Sequence, residues 1–366
     1  MKQTKANKNV TLSYSHVDNR SGTLFDSGSF SNYFSNQLAI SYPIYSGGNL
    51  EGLIHQADLN LTVAELELAA ARQQLQLKIV TYYFNVLEYR NEARICQATV
   101  DNYTDHLNLV KTKYDLGMVA KTEVLSSQVN LADAQDSLIK VQNNYSNAVA
   151  TLNNALGLPH DSELVLKDDF KYEKTGLILE QCLTYAETHR PEIVQYESKI
   201  ASAEAGVQIA RSGYLPTVNL TLSQGWKDNN FPGFKKSNCS VGLVTSLDLW
   251  DAGLTKSKVR QAEFSLAKTR DQARQNRDSI LLDVRQYYLS MQEAKKRIET
   301  STVSVNQAEE NLTIEKLRYD VGAGTGLDVR DAVLALDKAR KNYTQALYDY
   351  DTAKANLDQA MGLPVQ

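Results

Sequence analysis

The five histidines of this 366-residue chain (His16, His55, His106, His160 and His189) are scattered, and so are its three cysteines, Cys96, Cys182 and Cys239. No His-x-x-x-His or Cys-x-x-Cys spacing sets two ligands on one helical face or turn, so neither a metal centre nor a disulfide framework is expected. His55 and His106 fall in a long helical stretch, where solvated positions are the expectation. Gly322-Ala-Gly-Thr-Gly326 has the glycine content of a phosphate loop. It follows a helical pattern, not a strand, and no lysine comes after it, which makes it a poor nucleotide cradle. No catalytic residue, metal site or cofactor is assigned. The charges exclude a further class: 39 Lys+Arg against 43 Asp+Glu leave a net of −4 with the signs interspersed, so there is no electrostatic footprint for nucleic acid.

The polar groups with recognisable spacing sit beside two turns. Thr325 and Asp328 fit a helix-capping pair, and an acid in a first helical turn gains about 0.3–1 kcal/mol from the helix dipole. Gly117 and Gly322 fit C-caps that need a left-handed backbone.

The elements carrying these turns are written twice. Tyr114-Asp-Leu-Gly117 returns as Tyr319-Asp-Val-Gly322, and Gly157-Leu-Pro159 as Gly362-Leu-Pro364, both at an offset of 205 (319 minus 114). Ser41, Gln56-Ala57, Tyr82-Tyr83, Glu88 and Lys111 match Ser246, Gln261-Ala262, Tyr287-Tyr288, Glu293 and Lys316 at the same offset. A gapless duplication of about 125 residues is too long for a solenoid unit and reads as two equivalent halves.

Each half opens with two alternating segments. Val10, Leu12 and Tyr14 oppose Thr11, Ser13 and Ser15, and Leu38, Ile40, Tyr42 and Ile44 oppose Gln37, Ala39 and Ser41. The second half repeats this with Val218, Leu220 and Leu222, then Val241, Leu243, Leu247 and Leu249. Period two predicts half-buried strands at about 9–17, 36–45, 217–226 and 239–250, whose apolar face could meet a core or lipid. Long aromatic-rich loops are expected between the paired strands, one holding Phe25, Phe30, Tyr33 and Phe34, the other Trp226, Phe231, Pro232 and Phe234. Mean hydropathy is −0.40, and no run approaches the roughly 18 apolar residues of a membrane helix, which leaves membrane β-strands open.

Proline-free helical patterns follow at about 49–113 and 254–318, each rods of roughly 98 Å. Leu50, Ile54, Ala57, Leu61, Ala64, Leu68, Ala71 and Leu75 form one heptad seam; Leu59, Val63, Leu66, Ala70, Leu77, Val80, Phe84 and Leu87 form a second. Two seams call for a neighbour on each side. Tips at about 114–121 and 319–326 lead into return helices at about 121–156 and 327–361. The first repeat is thus taken as residues 1–159 and the second as 178–366, the latter opening with a helix over about 178–213. Residues 160–177, with a strand-like 163–166, form an equatorial segment between them. The counterpart of helix 178–213 is missing before the first strand, and no signal peptide precedes it, so an N-terminally truncated chain is expected.

This order resembles the TolC-like outer-membrane efflux proteins over the whole chain. His189-Arg-Pro-Glu-Ile193 with Ala210-Arg-Ser-Gly-Tyr-Leu-Pro216 is similar to the family's return helix entering a strand, and Leu249-Trp-Asp-Ala-Gly253, echoed by Ile44-Tyr-Ser-Gly-Gly48, to its strand-to-helix exit. Tyr114–Val124 and Tyr319–Val329 resemble its two tips. The resemblance implies a mainly α chain with a small β part. Its long-helix α-barrel would lie in the periplasm, and its membrane β-barrel would be completed by homotrimerisation, four strands per chain making a 12-stranded barrel. The apolar strand faces would then meet outer-membrane lipid.

It also implies roles. Leu116, Gly117, Met118 and Val119, with Val321, Gly322, Ala323 and Gly324, match docking tips that meet a periplasmic adaptor, and through it an inner-membrane pump. Asp328 and Asp331 match aspartates lining the periplasmic aperture, where six carboxylates would favour cations. Tyr319, Thr122 and Glu123 match the partners of a closing latch. The latch's arginine position is Gly324 here, with Lys121 or Arg330 as substitutes. The expected function is a passive exit duct for efflux or type I secretion; drug, metal and protein export share the scaffold. The alternative is a soluble coiled-coil scaffold whose strands form a small sandwich.

Overall fold

The computed structural model describes residues 2–22, 30–166, 169–170, 172 and 176–364; Phe25 of the first expected loop lies outside them. A short helix α1 (Lys2–Ala6) precedes strands β1 (Thr11–Gly22) and β2 (Phe30–Tyr45), then helices α2 (Asn49–Asp115), α3 (Lys121–Leu156), α4 (Leu179–His189) and α5 (Pro191–Arg211). A single 3₁₀ turn (Ser212–Tyr214) leads to β3 (Thr217–Asp228) and β4 (Lys236–Ser246), followed by α6 (Leu254–Asp320) and α7 (Gly326–Met361).

Two compact units divide this chain, and each draws on both sequence repeats: Met1–Leu68 with Pro191–Asn276, and Ala69–Arg190 with Arg277–Gln366. The first holds the sheet. All neighbours are antiparallel in the order β1-β2-β3-β4, which leaves β1 and β4 as edges. Register follows the alternation: Tyr14 pairs with Leu38, Ile40 with Leu222, and Leu222 with Val241. Leu12, Tyr14, Leu38, Ile40, Leu222, Val241 and Leu243 therefore share one face, and Ser13, Ser15, Gln37, Ser41, Thr221, Ser223 and Ser240 the other. Most of the apolar face is open in the single chain; Leu12 is 66% and Val241 69% exposed.

The strands run further toward the loop end than the alternating apolar residues suggest. Phe30, Tyr33 and Phe34, expected in a loop, lie in the ladder with Trp226, because pairing continues through Gly22↔Phe30 and Phe34↔Asp228, with Ser21 and Ser31 also bonded through their hydroxyls. At the other end β4 stops at Ser246, short of the expected 250. Leu249 and Trp250 are exposed, and Asp251 turns the chain into α6 by accepting the backbone N–H groups of Gly253 and Thr255. The helix expected over 178–213 is broken at Arg190, which takes an extended backbone with ψ 120°. Pro191 excludes a helical residue before it and supplies the first position of α5. Residues 163–166 pair with no strand among the described residues; Leu164 and Leu166 instead pack against the cluster of Val86, Ala148 and Leu152.

In the second unit α2, α3, α6 and α7 share apolar clusters, one joining Tyr103, Ala134, Leu312 and Leu336. The heptad seam through Val63, Leu66 and Leu77 on α2 is half-buried. The other seam is half-buried at Leu50, Ile54 and Ala57 and open from Leu61 on, with Leu61, Leu68 and Leu75 at 45%, 53% and 53% exposure.

Candidate functional site

The two tips lie in the second unit. Helix α2 runs to Asp115 and α6 to Asp320, two residues beyond the glycine-based expectation. Both end alike: Gly117 and Gly322 take φ of 73° and 77°, and the amide three residues beyond each helix reaches back, Met118 to Lys113 and Ala323 to Arg318. Leu116, Met118 and Val321 are 68–79% exposed. Val119 turns inward onto Val110, Tyr319 and Val329.

Tyr319 is the centre of the site and is only 4% exposed. Its hydroxyl donates to Glu123 Oε1 at 2.7 Å. The Lys113 ammonium lies 4.0 Å from the centre of its ring and donates to the Tyr319 carbonyl at 2.5 Å. A second, longer bond from Lys113 reaches the Asp320 carbonyl at 3.4 Å, so one cation ties down the C-terminus of α6, where the helix dipole is negative. The His106 ring packs on Tyr319 at 4.9 Å between centroids. Burial, then the bond to Glu123, pushes the Tyr319 phenol up from its usual range. Burial also holds the His106 imidazole below the ordinary histidine value, with Glu123 opposing and Lys316 and Lys113 reinforcing it.

Gly326 explains how Glu123 fits so close. A Cβ on Gly326 would stand 2.9 Å from Glu123 Oε1 and 3.6 Å from His106 Nε2, so a side chain there would displace the carboxylate. A cavity of about 520 Å³ opens between the tips, lined among others by His106, Lys113, Thr122, Glu123, Tyr319 and Arg330.

Asp328 closes a capping box with Thr325, accepting its backbone N–H at 2.9 Å and its hydroxyl at 2.8 Å. Those bonds keep the Asp328 carboxyl below its usual range. Asp331 is exposed and pairs with its neighbour Arg330 at 2.9 Å. Thr122 is exposed, while Glu123 takes the phenol.

Two residues depart from expectation. His106, expected in solvent, is 9% exposed; with Tyr103, Val110 and Lys113 it forms a stripe spaced by three and four residues that faces α6 and α7. The cation on Tyr319 is Lys113, not Lys121 or Arg330. Arg330 is engaged by Asp331, and Gly324 packs 3.2 Å (as a Cβ) from Arg318. A basic residue directly before each Tyr-Asp-x-Gly motif, Lys113 and Arg318, was the available signal. Among the described residues no group of three or more His, Cys, Asp or Glu is placed to hold a metal ion.

Among the described residues the chain has four antiparallel strands with open edges and helical hairpins of 67 and 36 residues. The sequence profile of the outer membrane efflux protein family matches residues 2–158 and 183–363, and the chain belongs to that family. The two matched regions each hold one copy of the sequence repeat. It is 26% identical to the outer membrane protein TolC of Escherichia coli K12 over 80% of this chain, spanning 62% of TolC's length. It is 24% identical to the pyoverdine export outer membrane protein OpmQ of Pseudomonas aeruginosa, over 90% of this chain and 70% of OpmQ. The alkaline protease secretion protein AprF of the same organism is 22% identical over 78% of this chain and 60% of its own. Among solved structures, CusC superposes with a TM-score of 0.86 at 19% identity, covering 99% of this chain and 85% of CusC. The outer membrane protein VceC of Vibrio cholerae gives 0.84 at 20%, covering 100% and 90%. The protein is an outer-membrane protein, which sets aside the soluble scaffold.

Proposed function

We propose that three copies of this chain close into a passive exit duct, with the sheets forming a 12-stranded membrane barrel and the helices a periplasmic tunnel. The observation that carries this is the pair of unpartnered surfaces on the single chain: the edges of β1 and β4, and the open seam of Leu61, Leu68 and Leu75. An open strand edge leaves backbone groups unpaired, each costing several kcal/mol in hydrocarbon. Copies of the same chain satisfy both surfaces at once, β1 pairing with the next protomer's β4 and the seam with the next protomer's helices. The apolar sheet face then meets lipid, and the Ser/Thr/Asn face lines water.

In this reading Leu116, Gly117, Met118, Val119, Val321, Gly322, Ala323 and Gly324 dock a periplasmic adaptor that couples the duct to an inner-membrane pump. Tyr319, Lys113 and Glu123 hold the tips together, with Thr122 at the rim. Asp328 and Asp331 supply the carboxylates of the aperture, where rings of acid favour cations. The relatives' printed roles, pyoverdine export for OpmQ and protease secretion for AprF, fit a shared exit that leaves energy and cargo choice to the pump.

Single-channel conductance in planar bilayers tests this, with the Asp328→Asn/Asp331→Asn double variant alongside. Stable pores that lose cation preference in the variant are expected. Unchanged selectivity would reduce both residues to helix-end electrostatics, and a detergent-independent monomer without conductance would remove the duct.

A further inference from the structure

Among the described strand residues, the polar face of the sheet carries only two charged side chains. They are Lys227 on β3 and Lys236 on β4, and they are register partners, directly opposite across the ladder. Every other residue on that face of β1–β4 is neutral, mostly Ser, Thr, Asn, Gln or Gly. Like charges placed directly opposite destabilise a strand pair, so this is an arrangement the sheet tolerates at a cost. No carboxylate on the polar face offsets it: Asp18 and Asp228 alternate onto the apolar face. Both lysines are exposed, and Lys227 lies 5.8 Å over the ring of Tyr33 on the same face. The pair sits at the loop end of the sheet, where β3 turns into β4, opposite the end from which α2 and α6 depart.

We propose that Lys227 and Lys236 form a basic collar at the outer mouth of the duct, an anion-binding and anion-selecting site. This rests on the three-chain duct proposed above. Closure by three copies brings six ammonium groups around one opening on the water-lined face. Lysine rings select anions in pores, and low-dielectric walls focus their field into the lumen. The collar binds polyanions arriving from outside.

The test is single-channel recording of the full-length protein in planar bilayers at low ionic strength, with tripolyphosphate added on the side of the sheet's loop end. Tripolyphosphate is expected to block the wild-type current. In Lys227→Gln/Lys236→Gln the concentration for half-block should rise about tenfold or more, since focusing fields concentrate counter-ions by at least that factor. Lys227→Arg/Lys236→Arg should block like wild type. Block should also fade at about 1 M salt, where the Debye length shrinks to about 3 Å. Asp328→Asn/Asp331→Asn should leave the block unaltered. Open pores whose block is the same in wild type and the glutamine variant would overturn the collar and leave the duct standing. Absence of pores in wild type would overturn the duct itself, and the collar with it.

Discussion

The two tips share a backbone and divide the work of their side chains. Tyr114 and Tyr319 occupy the same place in the two repeats, yet Tyr114 is 42% exposed and Tyr319 4%. Lys113 reaches across to the α6 terminus, whereas its counterpart Arg318 folds back onto Glu315 in its own helix. The sharpest contrast lies three residues into the return helices. Asp328 is spent on its own capping box with Thr325. Its counterpart Glu123 follows Ala120, an N-cap residue with no side-chain hydrogen bond to offer, and is free to take the Tyr319 hydroxyl. The two turns differ at one capping hydroxyl: Thr325 holds its acid, and Ala120 leaves Glu123 to Tyr319.

The largest expected difference between the tips is in their tyrosines. Tyr319→Ala removes a buried ring and its bond to Glu123 and should cost about 3–5 kcal/mol locally, in the range of large buried aromatics. Tyr114→Ala should stay within about 0.5 kcal/mol, as exposed positions do. Amide hydrogen exchange at residues 319–326 and 114–120 reads both, and equal effects would break the comparison. The glycines should behave alike instead. Gly117→Ala and Gly322→Ala each force an L-residue into a left-handed backbone at about 1–2 kcal/mol, and neither added Cβ meets an atom within 4 Å. Unequal losses there would mean that the turns themselves differ.

Acid should loosen the lock without touching the other tip. His106 is held neutral by burial, facing Glu123 on α3, Tyr319 and Lys316 on α6, and Lys113 on its own helix. Its folded pKa lies below the ordinary 6.5, so the locally unfolded tip binds more protons as pH falls through 6.5, and the stability of the packed tip drops with it. Protection at 319–326, corrected for the intrinsic pH dependence of amide exchange, should fall between pH 7 and 5.5, and His106→Phe should flatten that fall. A dependence that persists in the variant would move the switch to another group.

Much of this was legible in the sequence because the repeat is gapless. One half's glycine and Gly-Leu-Pro signals locate the other's, and all four long helix ends fall within two residues of expectation. The strand ends were not, because Asn32–Asn36 and Trp226–Asp228 pair through their backbone while their side chains stop alternating. At the site, Tyr319 and Glu123 came from resemblance to the family. Lys113 and His106 were missed because each reads as an ordinary solvated helix residue until Tyr103, Val110 and their three- and four-residue spacing are counted with them. The break at Arg190 was written in Pro191, but helical periodicity on both sides concealed it.

The smallest effect tests the origin of the asymmetry most directly. Ala120→Thr restores to α3 the Thr-x-x-acid pattern that α7 keeps at Thr325 and Asp328. The new hydroxyl would cap the Glu123 amide, worth about 0.5–2 kcal/mol to the start of α3. The Glu123 carboxylate would then be drawn back toward the residue 120 amide, as Asp328 is toward Thr325, and shared with Tyr319. Exchange should therefore slow at 121–125 and quicken at 319–326 in the same variant. Slowing at both would show that Glu123 serves the cap and the Tyr319 bond together, and that the absence of a hydroxyl at 120 is not what frees it.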